Sequence, residues 1–264
     1  MRPSQPSSKS TILTRISMRW VPHPPFGTTD TLALAVGEWY VDLRVDRQSG
    51  GIDWALAGQC RRAGINPRRV VFTHDIDSHH NFNVSEPCPF LALPNGDDLE
   101  TGKMRRADKP GAPMTDYEEI WRYIPLRDIP EECGGNTSWV LESVEDPLGE
   151  GQHLITKRFL AKVGGFYLVQ QQEQTHVKSQ SADGGWAVKI TGEEVSARWE
   201  EWLGDHWEEK YVLGPLGGKL PSMAKDLIGK SQSMCWTPGD NTSIKGSQYV
   251  VREVESLVGL RARL

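Results

Sequence analysis

The sequence predicts an all-β protein built from two antiparallel β-barrels packed together. Three observations carry that expectation. Short runs of residues alternate apolar and polar at period two, the pattern of half-buried strands. Clusters of Gly, Pro, Asn and Asp separate the runs at regular intervals, as in barrels and sandwiches. The rhythm then breaks at Asp146-Pro147-Leu148-Gly149-Glu150-Gly151 and restarts beyond it. The expected organisation is a flexible arm over 1–11, a first barrel over 12–146 and a second over 151–264.

In chain order, Ile12, Thr14, Ile16, Met18 and Trp20 alternate with Leu13, Arg15, Ser17 and Arg19, and Pro22, Pro24 and Pro25 end that strand. Residues 31–36 and 39–45 form a hairpin around Gly37-Glu38. In its second strand Trp39, Val41, Leu43 and Val45 are expected to face inward, with Tyr40, Asp42 and Arg44 outward. Next comes Ile52-Asp53-Trp54-Ala55-Leu56-Ala57-Gly58, with Ile52, Trp54 and Leu56 on an inner face and Gly58 as its end. Val70, Phe72, His74 and Ile76 give another inner face. From 78 to 98 the pattern fails, and His79-His80 with Pro87, Pro89 and Pro94 read as a long loop of the kind that often carries function. Strands follow at 99–104 and 117–124, and 139–144 is expected to close the first barrel. The second half reads as strands at 153–162, 166–176, 186–191, 195–203, 207–213 and 249–258, with a short helix near 223–228. Within it, 193–209 fits a hairpin better than an amphipathic helix, because three tryptophans sit among strand-like neighbours.

At 264 residues and a net charge of -5, the chain can bury a substantial core and lacks the long basic run that nucleic-acid binding needs. No apolar run reaches the length of a membrane span, and the Pro/Ser-rich start has no apolar signal segment, so a cytoplasmic protein is expected. Four cysteines (Cys60, Cys88, Cys133 and Cys235) and three glycosylation sequons, at Asn83, Asn136 and Asn241, leave a secretory route and a disulfide open. The cysteines lack paired zinc-ligand spacing, and no metal or cofactor is expected.

Several segments share an order with a known family. Asp53-Trp54-Ala55-Leu56-Ala57-Gly58 resembles the Asp-Trp-Ala-Phe-Ala-Gly segment of the fungal HRI-type proteins. Thr14-Arg15-Ile16-Ser17-Met18-Arg19-Trp20, Leu99-Glu100-Thr101-Gly102-Lys103-Met104, Asp116-Tyr117-Glu118-Glu119-Ile120-Trp121 and Tyr249-Val250-Val251-Arg252-Glu253-Val254 are similar to further pieces of that family. The resemblance implies two lipocalin-like barrels. One branch of the family comprises hetero-Diels–Alderases of tropolone–sesquiterpenoid biosynthesis. They join an o-quinone methide, formed by dehydration of a tropolone-type polyketide, to a humulene-type sesquiterpene. The resemblance therefore implies a cofactor-independent pericyclase of fungal meroterpenoid metabolism with hydrophobic small-molecule partners. The alternative it implies is a non-catalytic binding or interaction protein with a hydrophobic ligand cavity.

The residues themselves offer candidates for such a site. No nucleophile elbow, phosphate loop or dinucleotide fingerprint is present, which suits a cycloaddition that needs only near-attack placement. His74, on an otherwise apolar strand face, is a candidate acid or base, or else a core histidine bonded to a carbonyl. His74-Asp75-Ile76-Asp77-Ser78-His79-His80 is rich in potential ligands, yet its neighbours point opposite ways on a strand. Glu119, on one face with Tyr117, Trp121 and Tyr123, is a second catalytic candidate, expected to have a raised pKa if it points inward. Trp54, Phe72, Tyr117, Trp121 and Trp39 are the expected walls of the substrate cavity in the first barrel, beneath the loop 78–98.

Overall fold

The chain is known from a computed structural model, which describes residues 9–65, 68–82, 84, 87–106, 108–130, 133, 135, 137–145, 149–180, 185–228 and 236–257. The boundary residues 146–148, the sequons at Asn83 and Asn136, Cys235 and most of the N-terminal arm lie outside that set.

The first half forms β1 (Ser10–Trp20), β2 (Thr29–Val36), β3 (Trp39–Asp46), β4 (Ile52–Ile65), β5 (Arg68–Phe72), β6 (Ile76–Asp77), β7 (Cys88–Ala92), β8 (Asp98–Arg105) and β9 (Met114–Tyr123). They hydrogen-bond in the order β3-β2-β1-β9-β8-β7-β5-β4, and β4 returns to β3 to close an antiparallel barrel. The short β6 adds to β4. The second half forms β10 (Thr137–Ser143), β11 (Gly151–Val163), β12 (Phe166–Gln180), β13 (Trp186–Gly192), β14 (Ser196–Trp202), β15 (Trp207–Leu213), β16 (Asn241–Ile244) and β17 (Ser247–Ser256). Their order is β15-β14-β12-β11-β10-β17-β16, with β13 beside β12. Trp207 of β15 and Ile244 of β16 enter one buried cluster with Trp139, Leu160 and Tyr167, so the two edges curl around a common core. A helical turn at Met223–Leu227 inserts Met223 and Leu227 into it.

Two expectations are corrected by strand pairing. Residues 139–144 do not close the first barrel: β10 pairs with β11 and β17 of the second sheet. The change of sheet therefore falls between Tyr123 and Thr137, and β10 and β11 are adjacent antiparallel strands of one sheet. A Pro/Gly-rich stretch looks alike in a linker and in a hairpin loop, and only the pairing separates them. The loop 78–98 is also shorter than expected, because β7 is a stave between β5 and β8. Pro89 lies before Phe90, the first residue of β7 that pairs with β8, so its missing N–H interrupts no β7–β8 pairing. The hairpin at 193–209 is borne out as β14 and β15, with Trp202 opposite Trp207.

The period-two faces of β3 are as expected, but inside and outside are exchanged. Val41, Leu43 and Val45 join Leu32, Leu34, Ala55, Ala57, Phe159, Ala161, Leu168 and Ala197 in a core between the barrel and the second sheet. Tyr40, Asp42 and Arg44 point into the barrel. Each large aliphatic side chain in this layer contributes about 1.5–3 kcal/mol by leaving water. The second sheet, absent from any single-strand argument, is what claims the apolar face. Three glutamines on β12 stitch the layer: Gln170, Gln172 and Gln174 donate to the carbonyls of Asp42 (2.7 Å), Asp77 (3.1 Å) and Asp75 (2.8 Å).

Gly58 does not end its strand. It sits mid-β4 at φ 156°, where a Cβ would lie 2.6 Å from the Thr73 carbonyl oxygen. The absence of a side chain lets the chain after β5 fold against β4. Gly58→Ala is expected to cost about 1–3 kcal/mol. Chemical denaturation of the variant checks this, and an unchanged midpoint would contradict the close approach.

Candidate functional site

The interior of the first barrel is built from alternate residues of facing strands. Tyr117, Glu119 and Trp121 project from β9, Asp42 and Arg44 from β3, Arg15 from β1, Trp54 from β4 and Glu100 from β8. Glu119 is 1 % exposed and sits at the centre. Arg15 Nη1 lies 2.5 Å and Arg44 Nη1 2.8 Å from its Oε1. Arg44 also donates to Asp42, from Nη2 at 3.0 Å, and Arg15 donates to Thr29 at 3.0 Å. The Arg44 guanidinium stands 4.8 Å from the Trp54 ring centre and 5.2 Å from that of Trp121. Contact between β3 and β9, which are not neighbours in the sheet, crosses the barrel.

Glu100 lies beside this group without a guanidinium of its own. Its carboxylate accepts from Tyr117 Oη at 2.7 Å and from Trp121 Nε1 at 2.9 Å. Cys88 Sγ is 3.6 Å from the same phenol oxygen. The two glutamates are driven apart electrostatically. Burial alone would raise both, and for Glu119 the adjacent Arg44 and Arg15 outweigh it and hold the pKa below the usual value. At Glu100 burial and the negative charge of Glu119 dominate, and the pKa is pushed up to about 7. The expectation of a raised Glu119 is thus corrected: the raised carboxyl is Glu100, on the neighbouring strand. Charge counting agrees. Asp42, Glu100 and Glu119 face two guanidiniums, so one proton makes the interior neutral, and burial also raises Asp42.

Trp54 joins this interior to a second cluster. Its Nε1 donates to Asp77 Oδ1 at 2.9 Å, and His74 Nδ1 donates to Asp77 Oδ2 at 2.7 Å. Asp77 is fully buried; burial would raise it, but His74, Trp54 and the His79 amide hold its pKa low. The dyad is gripped from the second sheet, since the Asp77 amide donates to Gln172 Oε1 at 3.2 Å and Gln172 donates back to the Asp77 carbonyl. His74 and Ile76 do not share a face as expected. The strand is interrupted between β5 and β6, and Ile76 enters the inter-sheet core while His74 turns to Asp77. The three histidines of this stretch diverge: His79 stacks on Trp54 at 4.8 Å, and His80 meets Phe82.

Of the expected cavity walls, Trp54, Tyr117 and Trp121 converge on the interior, and Phe72 packs edge-on against Tyr40 at 5.2 Å. Trp39 does not converge with them. It packs on Phe159 of the second sheet with Arg252 over its ring, because it shares the outward face of Val41 and Leu43. The sequence reading missed Arg15, Arg44, Asp42 and Glu100, although their placement on alternating strand positions was visible. A groove of about 490 Å³ lies at one end of the barrel, lined by Val21, Pro89, Gly102, Lys103, Asp116 and Tyr117 among others. Gly102 makes room for the Tyr117 ring, which would lie 2.8 Å from a Cβ there. A smaller space of about 190 Å³ lies at the seam of the two sheets, beside Ile124, Phe166 and Trp199. Cys60, Cys88 and Cys133 form no disulfide among the described residues, and burial lifts Cys88 to about 12.

The sequence profile of the family described as Protein HRI1 matches residues 11–234. The chain belongs to the HRI1 family. The HRI1 fold is also seen in a solved structure, that of the uncharacterized protein YLR301w from the yeast Saccharomyces cerevisiae. The similarity covers 94 % of this chain and 100 % of the yeast chain, with a TM-score of 0.63 and 15 % identity, and it speaks for the fold alone. No curated protein matches the sequence significantly. Among the described residues, no helix of this HRI1-family chain is long and apolar enough to cross a membrane.

Proposed function

We propose that this HRI1-family chain is a cofactor-independent enzyme of secondary metabolism, and that its chemistry takes place at the groove over Tyr117. The reaction is the one implied by the sequence resemblance. A tropolone-type polyketide bearing a hydroxymethyl group loses water to give an o-quinone methide. That species then adds across an alkene of a humulene-type sesquiterpene in an intermolecular hetero-Diels–Alder step. The observation that carries this reading is the Tyr117–Glu100 pair beneath the groove, with a carboxyl whose pKa of about 7 suits proton transfer in either direction. With Glu100 protonated at the start, Tyr117 passes its proton to the leaving hydroxyl as it takes the proton of Glu100, so no free phenolate forms where burial and the neighbouring carboxyl hold the Tyr117 pKa well above its usual value. The carbon–oxygen bond breaks and water departs. The ring hydroxyl of the substrate returns a proton to Glu100, so the pair ends as it began. The cycloaddition that follows needs no proton, only two apolar partners held together.

His74, the acid or base expected from the sequence, is the competing centre. Asp77 orients its imidazole, and its Nε2 has no partner among the described residues. Incubation with a hydroxymethyl tropolone and humulenol, followed by product analysis, tests the activity. Tyr117→Phe is expected to lower turnover by a factor on the order of 10²–10⁴, with His74→Ala close to the unsubstituted chain. The reverse pattern would move the centre to His74. A second reading, a binding protein without chemistry, is favoured by the ion pairs that fill the barrel interior where an apolar ligand was expected. Calorimetric binding of either substrate without any product would select it.

A further inference from the structure

We infer that the exposed side of the β4–β5 hairpin is a docking site for an anionic phospholipid surface. Residues 61–65 of β4 run past the end of β3, whose Trp39 pairs with Gln59, and their only strand partner is β5. The β4 edge of the hairpin is therefore open there, while its β5 edge is held against β7 from Arg68 to Val70. The hairpin carries the sequence Arg61-Arg62-Ala63-Gly64-Ile65 on one side and Arg68-Arg69 on the other. Arg68 is occupied, with Asp98 at 2.7 Å and the Phe90 ring at 4.9 Å. Arg61, Arg62 and Arg69 are exposed, and among the described residues none has a carboxylate within ion-pair distance.

The apolar component lies at the same end. Ile65 is 96 % exposed, a poor place for a large aliphatic residue facing water alone. Leu91 is 61 % exposed on β7, one residue beyond the Phe90 that pairs with Arg68. An exposed aliphatic side chain beside guanidiniums without ion pairs suits a bilayer surface: the cations meet lipid phosphates and Ile65 enters the acyl boundary. Nucleic acid is the poorer fit, because the one aromatic ring of the described hairpin, Phe72, is packed against Tyr40 and Phe90, and the whole chain is acidic at -5. That net charge also means that any attraction to an anionic bilayer must be local to this hairpin.

Co-sedimentation of the full chain with vesicles tests the inference. The vesicles are phosphatidylcholine alone, or phosphatidylcholine mixed with phosphatidylserine. The chain is expected to pellet with the mixed vesicles only, and to be released by added salt. A triple reversal, Arg61→Glu with Arg62→Glu and Arg69→Glu, should weaken binding on the order of a hundredfold or more. Ile65→Ser should weaken it several-fold with the charges intact. Thermal melting of both variants should match the unsubstituted chain, since these side chains are exposed. No binding to the mixed vesicles, equal binding to both kinds, or full binding by the triple variant would overturn the inference. So would capture of soluble polyglutamate without capture of vesicles.

Discussion

Glu119→Gln is expected to destabilise the chain by about 3–5 kcal/mol. The glutamine keeps the shape of the side chain and removes its charge. Two guanidiniums, Arg15 and Arg44, then remain inside the barrel with their shared acceptor neutralised. Asp42 still pairs with Arg44, but Arg15 keeps only Thr29, Met18 and a more distant Asp53 at 3.7 Å. A buried ion pair adds little net stability over an apolar replacement, whereas removing one partner leaves an uncompensated charge. The contrast is testable. Urea denaturation of Glu119→Gln should show the large loss, and a change below about 1 kcal/mol would mean that the cluster is hydrated rather than sealed.

Glu100→Gln should behave in the opposite sense. The Glu100 carboxyl is raised from 4.5 to about 7 in the folded chain, so the folded state holds its proton more tightly than the unfolded state. The stabilisation tied to that proton is complete below pH 4.5 and is lost as pH rises through about 7. Across that window the loss amounts to about 3 kcal/mol. Denaturation free energies of the unsubstituted chain should therefore fall between about pH 5 and pH 8. Glu100→Gln, permanently neutral, should flatten the profile and be more stable than the parent at alkaline pH. The amide can still accept from Tyr117 or Trp121. An identical pH profile in variant and parent would show that Glu100 is ionised throughout, and would remove it from the proton-transfer role proposed with Tyr117.

The two glutamates also mark what could be read from the chain alone. Alternation placed Tyr117, Glu119 and Trp121 on one face of a strand, and that face is indeed buried. Alternation likewise separated Val41 and Leu43 from Asp42 and Arg44. These are properties of a strand by itself, because its side-chain period is two whatever surrounds it. The all-β class, the β2–β3 hairpin, the β14–β15 hairpin and the inward Trp54 followed from the same local geometry and from turn chemistry.

Which of the two faces became the inside was decided by the tertiary structure. The second sheet covers the apolar face of β2, β3 and β4, so the charged face was left to line the barrel and to satisfy itself there. That required Arg15, Arg44 and Glu119, from three strands far apart in sequence, to meet at one point. The strengths of their fields then set the pKa order of Glu100 and Glu119, which share a buried face: both guanidiniums bond Glu119, whereas Glu100 is bonded by Tyr117 and Trp121. The place of β10 was decided the same way: backbone hydrogen bonds to β11 and β17 assign it to the second sheet, and a strand's own residues do not name its neighbours. Local sequence fixes the period and the faces of each strand; long-range pairing alone fixes what each face meets.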